Sequence, residues 1–136
     1  MKDRQSAQPG SRLLDDLSSR LNEKGAVSIP RLSSAAAAFL ARRRLESRRR
    51  PQLWVFDGSR TMEDFARDAE ALFSGSPFTT RLFPQREDPD REPHRRSSIL
   101  GDRLLALYDL GRGRMPDVLI TGVQALLQPI ASPVSF

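Results

Sequence analysis

Short apolar runs bounded by breakers alternate with amphipathic stretches along this chain, and that alternation limits the folds open to it. The runs are Ala26-Val27-Ser28-Ile29, Leu53-Trp54-Val55-Phe56 and Asp117-Val118-Leu119-Ile120-Thr121, and Thr79-Thr80-Arg81-Leu82-Phe83 reads as a further short strand. Between them lie helical patterns. One, from Ser33 or Ser34 to about Arg48, carries Ala38, Ala41 and Leu45 in line with Ser34. The next, from about Arg60 to Phe73, carries Met62, Phe65, Ala66, Ala69 and Leu72 or Phe73 at helical spacing. A third, opened by Ser97 or Ser98, carries Leu100, Leu104 and Leu107 with Tyr108 alongside, and a short one spans Val123 to Leu127. Strand, helix, strand, helix predicts an α/β fold: a parallel sheet of about four strands with flanking helices. Continuous apolarity in Leu53–Phe56 predicts a strand buried on both faces.

Residues 1–25 stand apart. Met1 to Gly10 reads as a disordered N-terminus with Pro9-Gly10 as its breaker. An amphipathic lead-in helix follows, with Leu14, Leu17 and Leu21 on one face and Gly25 as its stop. Residues 26–136 form the α/β domain. Within it, Pro84 to Arg96 holds three prolines and charges of both signs, which predicts a long loop. The chain ends on the apolar Phe136 with no polar tail, so we expect a domain truncated at its C-terminus.

The stretch Ile29-Pro30-Arg31-Leu32-Ser33-Ser34-Ala35-Ala36-Ala37 lies between a strand and a helix, where a nucleotide-binding domain carries its phosphate loop. That loop reads G-x-x-x-x-G-K-[ST]. Here Pro30 takes the place of the first glycine and Ala35 that of the second. Ala36 and Ala37 replace the lysine and the hydroxyl. Alanine supplies neither charge nor metal ligand, and proline removes an N–H. The expectation is a degenerate P-loop NTPase-like scaffold that binds no cofactor.

Other candidates are weaker. Asp57 follows an apolar run, as a magnesium-binding acid would, but Asp57-Gly58-Ser59 is equally strand-to-helix turn and cap chemistry. His94 is the only histidine and cysteine is absent, which excludes disulfides, thiolate metal sites and a multi-histidine metal site. Trp54 reads as core, and Arg103 and Tyr108 as a partly exposed helix face. The net charge of +5 is almost wholly arginine, Lys2 and Lys24 being the only lysines. Arg42-Arg43-Arg44 and Arg48-Arg49-Arg50 are the dense clusters. They read first as a solvated helix face and second as a nucleic-acid or partner contact. No apolar run approaches the ~20 residues of a membrane helix and the N-terminus has no signal-peptide core, so a cytoplasmic location is expected.

Three passages, in order, carry a resemblance: Leu82-Phe83-Pro84; Gly101 to Leu110, containing Arg103-Leu104-Leu105-Ala106-Leu107-Tyr108-Asp109-Leu110; and Asp117 to Gln128, ending Val123-Gln124-Ala125-Leu126-Leu127-Gln128. With their R-L-x-x-L-Y-x-L helix and v-x-A-L-L-Q turn, they resemble the first N-terminal domain of bacterial transcription-repair coupling factor. That domain is itself similar to domain 1 of excinuclease B. The resemblance covers about Val27 to Pro133. Excinuclease B keeps the phosphate-loop lysine, so its absence here favours the coupling factor. Where the family has a W-E-x-x-P-Y-like stretch, this chain has Gln85-Arg86-Glu87-Asp88-Pro89-Asp90.

The resemblance implies a full-length, ATP- and magnesium-dependent DNA translocase that displaces stalled RNA polymerase from double-stranded DNA and recruits excinuclease A. It implies that this stretch is the non-catalytic scaffold, because no motor motif falls within it and the excinuclease A contacts belong mainly to the module that follows. The alternatives are a stand-alone arginine-rich α/β adaptor binding nucleic acid and, far behind, an enzyme using Asp57 and His94.

Overall fold

A computed structural model describes residues 9–86 and 93–130. Its elements are α1 (Pro9–Lys24), α2 (Ser34–Ser47), β1 (Gln52–Phe56), α3 (Ser59–Phe73), β2 (Thr80–Phe83), α4 (Pro93–Gly111), β3 (Val118–Gly122) and α5 (Val123–Leu127). All strand pairs are parallel, in the order β1-β3-β2. The α/β class with a parallel sheet is as expected. The strand count is corrected from about four to three among the described residues. Ala26-Val27-Ser28-Ile29 forms no strand but an irregular approach to α2. Four residues with a serine at the third place give little apolar surface to hold against the sheet.

Strand β3 sits in the centre, where its apolar composition is needed. Val118 and Ile120 face one side, packed with Ala37, Ala38, Ala41 and Leu45 of α2 and Met62, Phe65, Ala69 and Phe73 of α3. Leu119 faces the other side with Phe83, Ala106, Leu107 and Ala125, beneath α4 and α5. The sheet therefore has helices on both faces, and small alanines let α2 and α3 pack closely.

Strand β1 corrects a second expectation. Its apolar run is continuous, yet only Trp54 and Phe56 face the core, Trp54 stacked on Phe65 with ring centroids 4.7 Å apart and Phe56 tilted against it at 5.1 Å. Leu53 and Val55 point to the opposite face and remain 57% and 44% exposed. The reason is position: β1 is an edge strand, and α4 covers β2 and β3 but stops short of it. Its attachment to α2 is polar. Gln52 Nε2 donates to Ala41 O at 2.9 Å, and Trp54 Nε1 donates to Gln52 Oε1 at 2.9 Å.

Helix ends follow the sequence at most places. Ser33 caps α2, its hydroxyl accepting from Ala36 N at 3.2 Å. Gly25, Gly75 and Gly113 stop their helices at φ near +70°, a conformation only glycine adopts without strain. Two starts differ. Helix α1 begins at Pro9, so Pro9-Gly10 opens the helix where a breaker was expected. Helix α4 begins at Pro93, ahead of the expected Ser97 or Ser98 cap. Proline suits a first helical turn because the N–H it lacks has no helical acceptor there. The expected loop 84–96 thus gives way to helix by Pro93; residues 87–92, like 1–8 and 131–136, lie outside the described residues. Leu17 is buried and α1 lies on α2, which places the lead-in helix on its own domain.

Candidate functional site

At the start of α2, Pro30 and Arg31 make a turn, with Arg31 in the left-handed region at φ 58. A non-glycine residue there costs about 1 kcal/mol, and no glycine amide lines the approach. In a phosphate loop the first-turn amides are left open for the anion. Here the Ala36 amide is already taken by Ser33. Ser34 Oγ donates to Asp68 Oδ2 at 2.6 Å, which sets a carboxylate beside the helix start. Ala35 is exposed, Ala36 half-buried, and Ala37 is packed into the core. A groove of about 600 Å³ between α1 and α2 is lined by Leu13, Leu14, Ala36, Phe39, Arg42 and Arg43 among others.

The two arginine clusters do not act as two solvated triplets. Arg43 grips Asp15 through two hydrogen bonds, at 2.7 Å and 3.2 Å, which joins α1 to α2. That hydrogen bonding lowers the Asp15 carboxyl and raises the Arg43 guanidinium from their ordinary values. Arg42 bonds Glu46 at 3.0 Å and also donates to Leu72 O, while Arg44 reaches Ser18 O at 3.5 Å. Arg49 bonds Asp117 at 3.3 Å and Pro77 O at 3.1 Å, and lies over the Phe78 ring. Arg48 and Arg50 are exposed, and their side chains make no hydrogen bond or ion pair among the described residues.

Asp117 is the polar node where the strands begin. Thr79 N–H and Thr79 Oγ1 donate to Oδ2 at 2.9 Å and 3.2 Å, and Asp117 N returns a bond to Thr79 Oγ1 at 3.1 Å. Burial alone would raise this carboxyl, but the bonds from Thr79 and Arg49 outweigh it and the net shift is downward. Asp57 is exposed at the far end of β1. It does not cap α3, whose N-cap is Gly58 without a side-chain bond. His94 falls inside α4 and not in a loop, and its side chain lies outside the described residues. Among the described residues no group of three His, Cys, Asp or Glu could hold a metal ion, and no helix is long and apolar enough to cross a membrane.

Arg103 is the residue that the sequence misplaces. Expected on a partly exposed face, it is only 3% exposed. The inward-facing stripe of α4 is Arg103 and Ala106, buried, with Leu107 and Leu110, half-buried, one position round from the expected Leu100, Leu104 and Leu107 line; Leu100 and Leu104 stay exposed. The clue was present: 103, 106, 107 and 110 have i, i+3, i+4, i+7 spacing, but an arginine at its head argues against a core face. The guanidinium donates from Nη1 to Pro84 O at 2.8 Å and to Ala125 O at 3.5 Å, and lies 4.2 Å from the Phe83 ring centroid. Nη2 is buried without a partner among the described residues. Burial first, then the nearby Arg86 charge, pushes Arg103 below its ordinary value. A cleft of about 300 Å³ beside it is walled by Leu100, Leu104, Leu107, Pro129 and Ile130. Tyr108, as expected, is partly exposed, with Arg112 over its ring.

The chain matches no family model, no curated protein and no solved structure.

Proposed function

We propose that this chain is a non-catalytic scaffold, the N-terminal part of a transcription-repair coupling factor whose translocase would lie elsewhere in the full protein. The observation that carries the non-catalytic part is the start of α2. Its Ala36 amide is occupied by Ser33, and Asp68 stands beside it where a phosphate would need positive charge. The R-L-x-x-L-Y-x-L helix and the parallel α/β layering support the family reading, with ATP, magnesium, RNA polymerase, DNA and excinuclease A belonging to the full-length protein. The degenerate P-loop NTPase-like fold and the cytoplasmic location belong to the same proposal. Calorimetric titration of this chain with Mg-ATP is expected to give no binding, and micromolar affinity would refute the decayed loop. An immunoblot of the native gene product tests the rest. A band near the family's usual scale of about a thousand residues supports the scaffold; a band near 15.3 kDa refutes it.

The adaptor reading rests on Arg48 and Arg50, exposed and without ion pairs among the described residues. It requires duplex DNA binding that falls steeply with salt and is lost in the Arg48→Ala, Arg50→Ala double variant.

A further inference from the structure

We propose that the free edge of β1 pairs antiparallel with β1 of a second copy, across a twofold axis at Trp54. Gln52 N donates to Asp117 O, so the even residues of β1 turn their main-chain groups toward β3. By the two-residue period of a strand, the N–H and C=O groups of Leu53 and Val55 point the other way. They meet no main-chain partner among the described residues. Natural edges are blunted by charges, prolines or covering segments. Here the two central positions are Leu53 and Val55, both apolar and both exposed.

The flanking residues select a second copy, its direction and its register. The N-terminal end of β1 carries Arg48 and Arg50 and the C-terminal end carries Asp57, all exposed and without ion pairs among the described residues. Antiparallel pairing brings the basic end of each copy to the acidic end of the other, whereas parallel pairing sets arginine against arginine. An axis at Trp54 puts Leu53 opposite Val55 of the partner, twice, in positions that exchange both main-chain hydrogen bonds. Centring on Leu53 would demand an N–H that Pro51 lacks. Centring on Val55 would set Leu53 against Asp57. The chosen register keeps both Leu53–Val55 pairs complete, sets Pro51 opposite Asp57 only beyond the strand ends, and places four apolar side chains together on the sheet face that α4 leaves bare. Two three-stranded sheets become one of six.

Light scattering behind gel filtration of the 136-residue chain is expected to give about twice the 15.3 kDa of one chain. Val55→Lys, at an exposed position, should keep the circular dichroism spectrum and weaken the dimer about tenfold or more, since it spoils two cross-strand pairs. The chain has no cysteine, so introduced thiols report register directly. A mixture of Leu53→Cys and Val55→Cys chains should form an interchain disulfide on mild oxidation, and neither chain alone should, because like positions are offset beyond bridging distance. A monomer at every concentration, a dimer indifferent to Val55→Lys, or crosslinking of either single variant by itself would each overturn the pairing.

Discussion

Replacing Arg103 with methionine puts the reading of the buried guanidinium to a quantitative test. The wild-type side chain gains one short charged hydrogen bond, to Pro84 O at 2.8 Å, and a cation–π contact with Phe83 at 4.2 Å; its second acceptor, Ala125 O, is at 3.5 Å and adds little. These are worth about 1.5–3 and about 2 kcal/mol respectively. Against them stand the unpartnered Nη2, costing about 1–3 kcal/mol, and the loss of guanidinium hydration, several kcal/mol on its own. Arg86 adds repulsion of the same sign. Methionine keeps most of the volume and gives back about 0.3–1.5 kcal/mol through sulfur on the Phe83 ring, while leaving Pro84 O without its donor. The two sides nearly cancel. Chemical denaturation followed by Trp54 fluorescence should therefore show Arg103→Met within about 1 kcal/mol of wild type. Arg103→Ala, which also opens a void, should lose about 2–4 kcal/mol. A loss above about 3 kcal/mol for Arg103→Met would refute the reasoning, because breaking a properly paired buried cation is what costs that much.

Phe65 is fully buried between Trp54 and Phe56; Phe65→Ala should cost about 3–5 kcal/mol in a urea titration and abolish the near-ultraviolet dichroism of Trp54. The lowered Asp117 carboxyl stabilises the fold fully above the unfolded carboxylate value of about 3.9, and that contribution is lost as pH falls through its lower folded value. Urea midpoints measured from neutral pH into acid should fall less steeply for Asp117→Asn than for wild type. Gly75→Ala places a Cβ at φ +73 and should destabilise by about 1 kcal/mol in the same assay, although nothing crowds the added atom.

Local periodicity made most of the elements legible. Met62, Phe65, Ala69 and Phe73 recur at helical spacing and form the buried face of α3; Ser33 caps α2 as its type suggests; the apolar run after Asp117 forms the strand covered on both sides, Val118–Gly122. Where periodicity was shared between two outcomes, the sequence misled. Leu53-Trp54-Val55-Phe56 and Val118-Leu119-Ile120 are equally apolar, yet one lies at the edge and the other in the centre, and only pairing decides which. On α4, leucines at 100, 104 and 107 outweighed a stripe led by Arg103, because an arginine's burial depends on carbonyls and a ring from distant segments. The Arg42–Arg50 run looked uniform, but Asp15, Glu46 and Asp117 engage some of its members and, among the described residues, leave Arg48 and Arg50 without ion pairs.

By itself, then, the sequence determined the α/β class, a serine cap for α2 at Ser33 or Ser34, and the absence of the glycines and lysine of a phosphate loop between Pro30 and Ala37, since each depends on residues close in the chain. Tertiary structure alone decided that the described residues form three strands, that β1 offers an open apolar edge, and that Arg103 is buried. Each of those depends on which distant segment arrives to cover a surface, and that is settled by the packing of the whole chain.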